Sequence, residues 1–312
     1  MTHRIPQSVP RPPAPGRRGI AVVLLLLALA ASAGAAGKED RRTIRFGVIP
    51  RFNPHVTYEY YQPLMDYLGR VTPYRFELRM GRTYLDTVDD LRKGVTDVAY
   101  LGGATYSLAR HRFGARALVK PRNPEGGTTY RCLIIVRKDS PVRSIADLRG
   151  KRVAFGARRS TTGALIPSYM LFGAGVTPRQ LQSVTNLHNH EEVAKGVLKG
   201  VYDAGAVKDV VAWKYESQGL RVIAESEDLP NAPIAAGGTL PKGAEAAIVK
   251  ALLSIDPGTS EGKEILKNWG PELRHGFVPS RGEEYDFLYR KIASIPTGCG
   301  SRCHTSNPFF EN

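Results

Sequence analysis

From about residue 44 to residue 293, short apolar runs alternate with amphipathic stretches of helical period, and this alternation confines the chain to α/β architecture. Ile44 to Ile49 reads as a first strand, stopped by Pro50. Tyr61, Leu64, Met65 and Leu68 then recur at helical spacing, with Gly69 as the stop. Leu85, Val88 and Leu91 form a second stripe, closed by Gly94. Val98 to Leu101 reads as a buried strand, Ala104 to Phe113 as a helix, and Arg131 to Val136 and Val153 to Phe155 as further strands. Two segments break the rhythm. Pro121 to Thr129 and Asn231 to Gly238 are loose in composition and suit crossings between lobes. The expected plan is therefore two lobes with a cleft between them, the first lobe discontinuous. Residues 37–130 plus 235–295 would form lobe 1 and residues 131–234 lobe 2. A ligand in such a fold sits in the cleft, gripped from both sides.

The first 36 residues are read as an address. Arg4, Arg11, Arg17 and Arg18 precede an apolar run from Ile20 to Ala31 and then small residues, the plan of a cleaved secretory signal peptide. Its four arginines, with no acid among them, take the formal net charge from +15 to +11 on removal. That excess suits an anionic partner. The basic residues are scattered and no nucleic-acid motif is present, so a DNA or RNA binder is not expected. Three cysteines make no disulfide framework, and a chain of this size needs none. Cys132 lies in an apolar strand and reads as a packing residue.

The segment VAFGARRSTTGALIPSYML carries the most chemistry. A strand runs into a short loop, and Ser160, Thr161, Thr162 and Gly163 then open a helix. Hydroxyl residues there can simply cap the helix. Alternatively, the free N–H groups and the positive end of the helix dipole seat an anion, with three hydroxyls beside them. His190 opens another helix, with His188 close by, and Tyr84 and Tyr130 are aromatics of no special pattern by themselves. No nucleophile–base pair or metal cluster is evident, so no enzymatic activity is expected.

The segments TYLDTVDDLRKGVTDVAYLGGATY, YRCLIIVRKDSPVRSIADLRGKRVAFG, STTGALIPSYML, NHEEVAKGVLKGVYDAGAV and LPNAPI occur in one order along Arg42 to Ala293. In them the chain resembles the periplasmic phosphate/phosphite/phosphonate-binding proteins of ABC transporters. The resemblance implies the two-lobed periplasmic-binding-protein fold, with the oxyanion's oxygens held at Ser160, Thr161 and Thr162. It also places a site histidine at His190 rather than His188, and two site tyrosines at Tyr84 and Tyr130. Carboxylates that relatives use for an aminoalkyl ligand would fall at Val210 and in LPNAP, where no acid stands, although Asp209 is adjacent. A buried ammonium would lack a partner there, which favours phosphate, phosphite or a simple phosphonate.

The expected function is that of an extracytoplasmic, monomeric solute binder without a required cofactor, closing on the oxyanion and presenting it to a membrane permease. The alternatives are an accessory sensor for a membrane histidine kinase and a redox-linked binding protein. The last rests on residues 296–312, where Cys299, Cys303 and His304 form CxxxCH. This resembles a haem c attachment motif with one extra residue between the cysteines, and a Cys299–Cys303 disulfide or thiol pair is the other reading.

Overall fold

The computed structural model describes residues 41–294. The leader 1–36 and the Cys299/Cys303/His304 tail lie outside the described residues. Two open sheets organise the chain, one for each lobe. The first contains β1 (Thr43–Val48), β2 (Arg75–Met80), β3 (Val98–Tyr100), β4 (Arg116–Pro121), β12 (Ile234–Ala236) and β13 (Phe277–Pro279), in the order β13-β4-β12-β3-β1-β2. The second contains β6 (Cys132–Arg137), β7 (Arg152–Phe155), β8 (Ser183–Asn186), β9 (Ala204–Lys208) and β10 (Leu220–Glu225), in the order β10-β6-β9-β7-β8. Between them, β5 (Thr129–Tyr130) pairs antiparallel with β11 (Leu229–Pro230). The chain thus leaves the first sheet through β5, builds the whole second sheet, and returns through β11.

The local reasons are ordinary. Pro54–Val71 begins after Asn53, whose side chain accepts from the Val56 N–H, with proline at the first helical position. It continues past Gly69, the expected stop, and ends at Thr72, because an internal glycine weakens a helix without breaking it. Tyr84–Lys93 carries a reciprocal Thr83/Asp86 capping box and ends on Gly94 in the left-handed conformation, φ 69°. The second loose segment, Asn231 to Gly238, is not loose throughout: it contains β12, buried between β3 and β4. Three residues are too few for a periodic signal.

In the first lobe the parallel trio β2-β1-β3 points its carboxyl ends at the cleft, and in the second β9-β7-β8 does the same. In open α/β sheets the crevice beyond those ends is where ligands bind. Gly205 shows how tightly the second lobe holds its share. A Cβ there would lie 2.5 Å from Val193 Cγ1 and 2.9 Å from Val197 Cγ2, both on the His190–Leu198 helix. Gly205→Ala is expected to cost about 1–3 kcal/mol through overpacking, read as a lower urea midpoint. No loss of stability would mean that the helix can step away from β9.

Candidate functional site

Every element that approaches the cleft contributes from its leading end. After β1 come Ile49, Pro50 and Arg51; after β2, Thr83 and Tyr84; after β3, Gly102 and the start of the Gly103–Phe113 helix. From the second lobe, β7 leads to Ser160, β8 to His190, and β9 ends at Lys208. Tyr84, Tyr130, Ser160, Thr161, Thr162 and His190, the six residues expected from the sequence, line one cavity of about 50 Å³. One water needs about 10–15 Å³, so this space is on the scale of a five-atom oxyanion. His188 is exposed and lines a separate, larger recess at the mouth.

The hydroxyl segment both caps and lines the cavity. Ser160 Oγ accepts from the Gly163 N–H at 3.1 Å, so the plain capping role is real. Thr161 to Leu165 form a π-helical turn ahead of the Ile166–Gly173 α-helix. The widened first turn leaves the N–H groups of Thr161 and Thr162 with no preceding turn to bond. Glycine is required at 163 for close approach: a Cβ would lie 2.9 Å from Ser160 Cβ and 3.1 Å from Gly156 Cα. Thr161 Oγ1 accepts from the Ala104 N–H at 3.0 Å, so the first turns of two helices, one from each lobe, meet at this hydroxyl. The Tyr84 hydroxyl bonds with Ser160 and the Tyr130 hydroxyl with Thr161. Burial pushes both phenols above their ordinary range, so both remain neutral donors.

Three residues that the sequence did not disclose complete the cavity. Arg51 and Lys208 both bond the carboxylate of Glu272, Lys208 Nζ at 2.6 Å from Oε1. Their side chains are only 16–18% exposed. Burial works against the Glu272 charge, but Arg51 and Lys208 outweigh it and hold the carboxyl at about 2. Arg51 also lies over the Tyr100 ring and Lys208 over the Tyr130 ring, each 4.7 Å from the centroid. Nothing local signals this triad, because its members stand at positions 51, 208 and 272 and meet only in the folded chain. A glutamate following Gly270-Pro271 is the nearest thing to a cue.

His190 enters the cavity as a neutral ring. Burial, with Lys208 next in effect, lowers its pKa to about 4, so the ring is neutral at pH 7. The Ala206 backbone carbonyl accepts from the imidazole, while Nδ1 is buried without a partner. A carbonyl can only accept, so the ring hydrogen belongs on the nitrogen facing Ala206 and Nδ1 keeps its lone pair. Position 210 is an exposed valine, and the neighbouring Asp209 carboxylate accepts from the Arg131 and Val210 N–H groups. Asn231 Nδ2 donates to the Pro121 carbonyl. Glu272 is the carboxylate of the cavity, and two cations already claim it. Cys132 is fully buried, its thiol donating to the Thr162 carbonyl at 3.3 Å, as a packing residue would.

Comparison with known proteins gives a consistent picture. The family described as "ABC transporter, phosphonate, periplasmic substrate-binding protein" matches residues 46–285. The phosphonates-binding periplasmic protein of Escherichia coli is 24% identical over 142 residues, 44% of this chain and 42% of that protein. The phosphate-import protein PhnD of Mycolicibacterium smegmatis is 27% identical over 186 residues, 55% of this chain and 57% of that one. The chain thus spans about half the length of the curated relatives it matches. The crystal structure of PhnD1 from Prochlorococcus marinus in complex with methylphosphonate superposes with a TM-score of 0.71. It is 19% identical and covers 81% of this chain and 98% of its own.

Proposed function

The chain belongs to the periplasmic phosphonate-binding family of ABC-transporter substrate-binding proteins, and from that premise we propose that it captures a small phosphorus oxyanion. Phosphate, phosphite and simple phosphonates are the candidate ligands. The observation that carries this reading is the convergence of a helix start, three hydroxyl residues and two tyrosines from both lobes on one cavity of about 50 Å³. Arg51 and Lys208 against Glu272 leave it one net positive charge.

In this reading Ser160, Thr161 and Thr162 donate hydroxyls to the anion, and the N–H groups of the π-turn add backbone donors. Tyr84 and Tyr130 swing their hydroxyls from Ser160 and Thr161 to the ligand. Closure of the lobes then offers a surface to a membrane permease outside the cytoplasm. An ammonium-bearing phosphonate is disfavoured, since Arg51 and Lys208 would repel its charge while occupying the carboxylate it needs. Calorimetric titration with phosphate, phosphite and methylphosphonate tests the proposal. One ligand per chain is expected for at least one of the three. No heat and no thermal shift with any of them would reject it.

A further inference from the structure

A pocket for an anion is normally all donors and positive charge, and this one contains two features that work the other way. Glu272 places a full negative charge on the wall of the cavity and cancels one of its two cations. His190 lines the same cavity, and its buried Nδ1 has no partner in the protein. A dianion would face Glu272 with one charge uncompensated, and it would bring nothing for Nδ1 to accept from. A singly charged oxyanion that keeps one P–OH answers both features. Its charge matches the net +1 of the wall, and its hydroxyl is the donor that Nδ1 lacks. Resting on the oxyanion reading above, we infer that the site selects the monoanionic, P–OH-bearing form of its ligand, with Glu272 setting the charge and His190 accepting the ligand's hydrogen.

Among the described residues that line the cavity itself, no other charged group changes the count. His190 feels Lys208, Glu272 and Arg51. Glu272 is felt by Tyr61, Tyr84, Tyr100 and Tyr130, whose hydroxyls burial keeps protonated. Asp209, Glu125, Arg274 and His275 line an outer chamber of about 410 Å³, which shares Arg51, His190, Lys208 and Glu272 with the cavity.

A phosphonate carries its second proton to a higher pH than a phosphate ester does, and only well above that second pKa must a ligand that binds as the monoanion first regain a proton from solvent. Calorimetry of the whole chain with methylphosphonate, run at least one pH unit above the ligand's second pKa in two buffers of different ionisation enthalpy, counts that proton. Wild-type protein is expected to take up about one proton per ligand, with affinity falling about tenfold per pH unit above the ligand's second pKa. Glu272→Gln, which raises the wall to +2, should bring uptake towards zero and flatten the pH dependence. Methanesulfonate has the same shape and a single charge but no hydroxyl, and should bind wild type at least about tenfold more weakly, one unmet hydrogen bond. Wild-type binding without proton uptake overturns the inference while leaving the oxyanion reading intact, and needs no variant. Uptake undiminished in a folded Glu272→Gln protein removes Glu272 from its role, and equal affinity for methanesulfonate removes His190. No heat with methylphosphonate, phosphite or phosphate at any pH would reject the oxyanion reading and this inference together.

Discussion

Ser160→Ala combined with Thr161→Ala is expected to abolish measurable oxyanion binding while the protein still folds. Each hydroxyl oxygen is engaged as an acceptor in the structure, Ser160 from Gly163 N–H and Thr161 from Ala104 N–H, which leaves each hydrogen for an anion. A buried hydrogen bond to a charged partner contributes about 1.5–3 kcal/mol. Losing two therefore weakens affinity by about two to four orders of magnitude. The fold loses less. Removing the Ser160 cap costs about 1 kcal/mol, and the Ala104 N–H, left without its partner, about 1–3 kcal/mol. Calorimetry for affinity and a thermal melt for folding separate the two effects. Retained affinity in a folded double variant would reduce these hydroxyls to helix caps.

Lys208→Met is expected to weaken binding by about 2–5 kcal/mol, some thirtyfold to several thousandfold. Methionine keeps the length of the stem over the Tyr130 ring but removes the cation. The wall then falls from one net positive charge to none, since Arg51 and Glu272 cancel. Lys208 stands at the end of β9 in the second lobe, whereas Glu272 lies in the loop that leads to β13 in the first. The variant therefore also loses an ion pair that ties the lobes together. A titration that gave wild-type affinity would place the ligand away from Lys208.

What the sequence disclosed of this protein follows from how far apart the informative residues are. Ser160, Thr161, Thr162 and Gly163 are consecutive and open a helix, so local chemistry exposes them. Gly94 and Gly114 mark helix ends because their left-handed backbone is a local demand. The alternation of strands and helices was legible for the same reason. β2 was not, because Arg75–Met80 buries only Leu78 and reads as polar. β12 was hidden by its length and by the loose composition around it. The Arg51–Glu272–Lys208 triad was invisible because it is purely tertiary, its members 221 and 64 residues apart in sequence. His190 was legible as a residue, but its protonation was not. Which ring nitrogen keeps a hydrogen depends on the Ala206 carbonyl, a neighbour that only the folded second sheet supplies.

Tyr130 occupies an unusual place among the cavity residues, since it also belongs to β5, one half of the two-stranded crossing between lobes. Its backbone pairs with Leu229 while its hydroxyl reaches Thr161. Any bend at that crossing turns the ring that closes the cavity. In the proposed reading, residence time and domain motion cease to be separate quantities: the anion's escape would be timed by the same torsions that part the lobes. Substitutions that stiffen the β5–β11 ladder would lengthen the dwell of the ligand without adding a single contact to it.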